Sequence, residues 1–166
     1  MIKSTFYFVI FFILFPLSIV FAQTNEFRGI PWGEDIRNIK GMIFKFNQEV
    51  GVKVYLREKD ENRIGEAPIS FVWYGFYKGK FFSVLISFKN YSNFVYLKES
   101  LESKYGSPVK LNRFIDNYIW DNNNLAIFLN YNGIKNEGVI RYSYSPIEDQ
   151  KKKDLRNSAS KARNSL

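Results

Sequence analysis

The stretch SFVWYGFYKGKFFSVLISF, Ser70 to Phe88, decides the fold. It is dense in aromatic and β-branched residues, and Lys78-Gly79 interrupts it near the middle, so it reads as a β-hairpin with a two-residue turn. That turn pairs Phe76 with Phe81. Carried along both strands, the same register puts Phe71, Trp73 and Gly75 on one face with Phe82, Val84, Ile86 and Phe88. This face is the expected core. The opposite face then holds Val72, Tyr74, Phe76, Phe81, Ser83, Leu85 and Ser87. Eleven aromatic residues lie between Phe71 and Tyr96, more than one sheet face can hide. Either the helices cover one face and the tail or another chain covers the other, or Tyr74, Phe76 and Phe81 form an exposed contact surface. Those three are the candidate binding residues.

Working outward, Trp32-Gly33-Glu34-Asp35 followed by Ile36, Ile39 and Ile43 predicts a short first helix, with Gly33 as its cap. Val52, Val54 and Leu56 alternate with polar or amphipathic neighbours and predict a strand. A second helix is better marked. Phe94, Leu97, Leu101 and Tyr105 form one stripe, Gly106 supplies the stop, and Pro108 forbids continuation. Three more strands follow. Arg113–Trp120 and Leu125–Tyr131 flank the turn formers Asp121–Asn124, and Val139–Ser145 ends the sheet. Phe114, Asp116, Tyr118 and Trp120 are expected on the inward face. The fold class is therefore α+β: two helices packed on a largely antiparallel sheet of about six strands, an order that also reads as two helix-plus-three-strand halves.

The two ends differ from this middle. Lys3, the apolar run Phe6–Ala22 and the sequence Val20-Phe21-Ala22 predict a signal peptide over residues 1–22, with an uncleaved membrane anchor as the alternative. The domain is expected over 23–149. Gln150–Leu166 carries six basic residues against Asp154 and almost nothing apolar, so 150–166 is expected to be a disordered basic tail. The chain has 24 basic and 16 acidic residues, but removing the leader and tail leaves 17 against 15. The excess charge thus belongs to the tail, and a nucleic-acid-binding face is not expected.

The motif Phe27-x-Gly29-x-x-Trp32-Gly33 directly after a leader resembles the opening of a broad set of uncharacterised exported bacterial proteins. In them a Trp-Gly pair starts a helix, and a later helix ends as Leu97, Leu101, Tyr105, Gly106 and Pro108 do here, before a strand with a Trp such as Trp120. The arrangement is also remotely similar to the helix-on-sheet modules of the outer-membrane assembly lipoprotein BamE and of β-lactamase inhibitor protein. The resemblance implies export and the α+β architecture, and no activity. Unlike those two modules, this chain has no cysteine.

With no cysteine and no histidine, the chain cannot build a disulfide, a Cys- or His-based zinc site, or a His-assisted nucleophile. Glu34 and Asp35 are adjacent on the expected helix and do not face each other. Asp116 and Asp121, five apart, point differently. Asp121-Asn122-Asn123-Asn124 lacks the ligand pattern of a calcium loop. Asn90-Tyr91-Ser92 fits a glycosylation sequon. No cofactor or metal is expected. The expected function is a non-catalytic binding or assembly module of the cell envelope, periplasmic or secreted. The alternatives are an exported hydrolase using carboxylates, or a structural protein anchored by an uncleaved leader. An envelope protein or a second copy is the expected partner, with weak contact to an anionic surface through the tail.

Overall fold

The computed structural model describes residues 25–48 and 51–163. The expected signal peptide lies outside the described residues. The described residues form twelve strands and two α-helices. Eight of the strands make one antiparallel sheet. This corrects the expected fold class, since the protein is mostly β and neither the strand count nor the placement of the helices matches that expectation.

The chain opens with a small hairpin, β1 (Glu26–Phe27) and β2 (Ile30–Pro31), and a single 3-10 turn over Ile36–Asn38. The predicted first helix is absent. Asp35 caps the turn by accepting from the Arg37 N–H, and the chain turns at Gly41, whose φ is +75°. It then extends as β3 (Met42–Gln48). Ile36, Ile39 and Ile43 share a helical spacing, but Ile43 sits in a strand and is largely exposed.

The sheet grows by two meanders. β3, β4 (Val52–Arg57), β7 (Phe71–Tyr77) and β8 (Lys80–Lys89) form the first. A short hairpin, β5 (Arg63–Ile64) and β6 (Ala67–Pro68), is inserted before β7. Helix α1 (Tyr91–Tyr105) then crosses one face. The second meander is β9 (Val109–Lys110), β10 (Asp116–Asn122), β11 (Leu125–Asn132) and β12 (Glu137–Tyr144). It returns to pair β12 against β8.

The predicted stripe of α1 lands as expected, with Phe94, Leu97 and Leu101 buried. Together with β1, β2, β5 and β6, α1 covers a face floored by Val84, Ile86, Phe88, Ile127, Leu129 and Ile140. Asp116 sits at the margin of this face, 3.6 Å from Lys110 and accepting from the Tyr118 hydroxyl. Phe114, expected inward, precedes β10 and is 80% exposed.

The β7–β8 hairpin turns at Lys78-Gly79, both with positive φ. Phe76 pairs with Phe81 as expected. The next pair is Gly75 with Ser83, so Phe82 is an extra residue, a β-bulge. From there to the open end of the hairpin the register is displaced by one, so Val72 and Tyr74 of β7 share the covered face with Val84, Ile86 and Phe88 of β8, and Phe71 and Trp73 are turned away from it. The backbone of Phe81 is occupied from another direction. Gly33 N–H donates to Phe81 O and Phe81 N–H donates to Glu34 O, each at 2.8 Å. Trp32 stacks on the Phe81 ring, with centroids 4.6 Å apart. The N-terminal segment thus draws Phe81 to the covered face and leaves Phe82 on the other.

The expected disordered tail is also corrected: α2 runs Ser145–Arg163. Pro146 in its first turn suits a helix start. Ile147 packs with Val52, Val54, Tyr77 and Phe82 on the second face, and the Lys151 ammonium lies over the Phe82 ring. Asp154 Oδ2 accepts from the Tyr77 hydroxyl at 2.8 Å and from Lys78 at 2.6 Å. From Leu155 onward every described residue is exposed. A few contacts per turn thus order a segment whose composition reads as unstructured. Asp154→Ala is expected to lower the melting temperature, whereas truncation after Asp154 leaves it unchanged. The bonds from Lys78 and Tyr77 hold the Asp154 carboxyl below its usual range. This anchor is therefore fully present above the ordinary carboxylate titration and lost as pH falls through the depressed value.

Candidate functional site

Tyr74, Phe76 and Phe81 do not form an exposed surface. Their exposures are 0%, 1% and 0%, and they lie in the main core. The Tyr74 hydroxyl donates to Asp60 Oδ2, and Asp60 is paired with Arg28 at 2.6 Å. Burial pushes the Tyr74 phenol well above its usual range. The bulge at Phe82 is the physical reason. It puts these rings on the face of Val84, Ile86 and Phe88 and sends Phe71 and Trp73 to the second face, beside Leu85.

That second face is only partly covered. Across the strands runs a row of mostly small residues: Val54, Gly75, Ser83, Ser143 and Ala126, each paired with the next. Beside it runs a row of larger ones: Trp73, Leu85, Arg141, Phe128 and Ile119, again paired in order. Helix α2 lies on the other side of the small row, contributing Ser145, Glu148, Asp149, Lys151 and Lys152. The result is a cleft of about 860 Å³. Its small-residue floor crosses five strands, about 19 Å at the usual interstrand spacing. Gly75 keeps the floor low, since a Cβ there would overlap the Ser83 hydroxyl.

At one end Phe46 packs edge-on against Trp73, and Phe71 stacks on the same indole, with centroids 4.4 Å apart. On the helical wall, Glu148 is tied to Lys151 at 2.9 Å and to Ser143 at 3.3 Å, while Asp149 lies 3.6 Å from Lys152. Arg141, between Leu85 and Phe128, is exposed and has no ion-pair partner among the described residues.

The candidate carboxylates are otherwise engaged. Glu34 accepts from Asn38 at 2.7 Å and from the Asp35 N–H, which lowers its pKa. Asp35 is held far below its usual range by Arg37. Asp116 pairs with Tyr131 and Asp121 with Ala126, which puts them on opposite faces. The turn expected over Asp121–Asn124 tightens to Asn123-Asn124. Among the described residues no group of three or more His, Cys, Asp or Glu could hold a metal ion. The carboxylates considered do not converge as an acid–base pair: Asp116 and Asp121 lie on opposite faces, and Glu34 and Asp35 are each bonded elsewhere.

The covered face holds a second concavity, about 330 Å³, beneath the β1–β2 hairpin. Trp32, Tyr105 and Tyr142 line it. A smaller hollow of about 250 Å³ adjoins it across Trp32 and Tyr105, next to Asn122–Asn124. Trp32 both packs in the core, stacked on Phe81, and walls this cavity. The rest of this cavity comes from four separated segments and carries no local sequence signal.

Comparison with protein-family models, with curated proteins and with solved structures finds no match.

Proposed function

We propose that the protein is a non-catalytic binding or assembly module of the cell envelope, periplasmic or secreted, and that the cleft beside α2 takes a partner protein. The observation that supports this most directly is the half-open sheet. One face is closed by α1, while the other leaves an apolar row beside a basic helix. The partner presents apolar side chains and a carboxylate. The charge pattern favours that chemistry: Arg141 stands unpaired in the apolar row, and the exposed end of α2 adds Lys153 and Arg156. A second copy would bring Arg141 towards its own like charge, which disfavours self-association through this surface. Export rests on Lys3 and the apolar run Phe6–Ala22. Among the described residues, no helix is long and apolar enough to cross a membrane. The exposed end of α2 also suits a weak, salt-sensitive attraction to an anionic surface.

The test is capture of envelope proteins by the intact chain, compared with Arg141→Glu and Trp73→Ala. Arg141 is at the surface, so its substitution is expected to change stability by no more than about 0.5 kcal/mol. Loss of the same captured protein in both variants, at unchanged folding, is the expected result. Capture undiminished in both would remove the cleft from the binding surface. Concentration-dependent dimerisation abolished by Arg141→Glu would replace the envelope partner with a second copy.

A further inference from the structure

We propose that the end of the second meander, where the β9–β10 and β11–β12 loops lie side by side, inserts into an anionic phospholipid surface, independently of the cleft beside α2. The two most exposed large apolar side chains among the described residues are Ile134 and Phe114, at 100% and 80%. Strand register brings them to one place. β9 runs against β10 with Lys110 opposite Tyr118, so loop 111–115 turns beside Asp116. Asp116 pairs with Tyr131, and Asn132 with Glu137, so loop 133–136 turns at the same end of the sheet. The loops join neighbouring strand pairs, about 10 Å apart at the usual interstrand spacing. Leu111, Ile115 and Tyr91, which opens α1, add exposed apolar surface at this end.

Each tip sets a base beside its apolar residue. Arg113 precedes Phe114, and its guanidinium lies over the ring, 4.5 Å from the centroid. Lys135 follows Ile134. The acids at this end are already paired: Asp116 lies 3.6 Å from Lys110, and Glu137 lies 3.7 Å from Lys89. Arg113 and Lys135 have no carboxylate partner among the described residues. The charge left over is therefore positive, which selects anionic headgroups. The backbone at the tips is also prepared for a poorly hydrated setting. Asn112 accepts from the Phe114 N–H at 2.8 Å, and Asn132 accepts from the N–H groups of Ile134 and Lys135 at 3.0 Å. Two apolar tips on separate loops suit a fluid surface that closes round each of them. Their bases can stay among the phosphates while ring and aliphatic chain enter the acyl boundary. This end lies opposite the Lys78-Gly79 turn to which Asp154 anchors α2, so the bases of α2 are a separate feature.

The probe is vesicles of equimolar phosphatidylglycerol and phosphatidylcholine carrying brominated acyl chains, with brominated phosphatidylcholine alone as the comparison. Bromine quenches only a tryptophan that reaches the acyl region. Phe114→Trp and Ile134→Trp place reporters at the two tips of the intact chain, and Leu155→Trp places one on the exposed end of α2. All three keep the same N-terminal residues, so differences between them isolate the loops. Quenching beyond that of the native tryptophans is expected at 114 and 134 with the anionic vesicles, weaker with phosphatidylcholine alone, and absent at 155. Adding Arg113→Glu and Lys135→Glu to the Phe114→Trp chain is expected to raise the lipid needed for half-maximal quenching roughly tenfold. No added quenching at either tip would overturn the proposal, and quenching at 155 alone would assign the contact to α2. Quenching equal in the two lipid mixtures and indifferent to charge reversal would overturn the anionic class. Loss of a captured envelope protein in Phe114→Ala, with no quenching at 114, would give this surface to a protein instead.

Discussion

Phe76→Ala and Phe81→Ala will each destabilise the protein by about 3–5 kcal/mol, the usual cost of emptying a core phenylalanine site. Both rings are almost completely buried. Phe81 is held between Trp32, stacked at 4.6 Å, and Phe76 at 5.5 Å, with Tyr74 at 5.9 Å. Removing it opens a hole on which three other aromatic rings border, and none of them can fill it without leaving its own contacts. It also weakens the seat of the N-terminal segment, whose Gly33 and Glu34 bond to the Phe81 backbone. The comparison is Phe114→Ala, where the ring is 80% exposed and the expected change is within about 0.5 kcal/mol. Urea melts of the three variants measure the difference. A loss below about 1 kcal/mol at Phe81 would mean that the uninterrupted hairpin register, with these rings turned to the other face, is the real one.

Gly138→Ala should be nearly as damaging, at about 3 kcal/mol, the upper end of ordinary overpacking. Gly138 lies on β12 between Phe88 of β8 and Tyr131 of β11. Those two rings stack over it, with centroids 6.5 Å apart and planes within 10°. A Cβ would overlap the Phe88 ring and lie 2.8 Å from the Asn130 carbonyl. Phe88 is fully buried, so the ring cannot swing aside, and the carbonyl belongs to the neighbouring strand. Phe94 of α1 stacks on the same Tyr131 at 5.0 Å, which passes the displacement on to the helix. Gly133 provides the control, because its nearest contact would be an ordinary one at 4.0 Å. Calorimetric melting of the two alanine variants should separate them widely, and equal transitions would refute the packing account.

These two sites show where the sequence is legible and where it is not. Helix α1 was readable because its apolar stripe, Gly106 and Pro108 all agree. The β10–β11 hairpin survived an error. Its loop is two residues shorter than expected, but a shift of two preserves parity, so Trp120 still faces inward with Ile127 and Leu129. In the β7–β8 hairpin a displacement of one residue sufficed to invert the assignment. A bulge has no local signature when both faces are rich in aromatics, as here. Its cause lies about 50 positions earlier, in the Gly33–Glu34 segment that takes up the Phe81 backbone.

The first helix failed for a related reason. Three isoleucines at helical spacing also fit a turn followed by a strand, and Gly41 favours the latter. The tail failed because composition measures how much a segment can bury, whereas α2 is anchored at a few points: Ile147, Lys151 and Asp154. Since the cleft needs both the bulge and α2, it could not be foreseen residue by residue. What could be foreseen was that the hairpin carries more aromatic surface than one face can hide, and Phe71 and Trp73 on the half-open face show that surplus.

The pairing of β12 with β8 has a consequence for how the molecule assembles. It joins residues roughly 50–60 positions apart, from Lys89 with Glu137 to Ser83 with Ser143. Every other pairing in the large sheet links strands that follow one another in the chain, allowing for the inserted β5–β6 hairpin. Each meander can therefore begin to form from nearby contacts, while the seam must wait for a long loop containing α1 to close. Until it closes, β8 and β12 are open edges carrying Ile86, Ile140 and Tyr142, the kind of exposed strand that invites intermolecular pairing. The vulnerable moment in the life of this protein is thus an interval before the two halves meet, and a chaperone protecting it would have the β8 and β12 edges to guard.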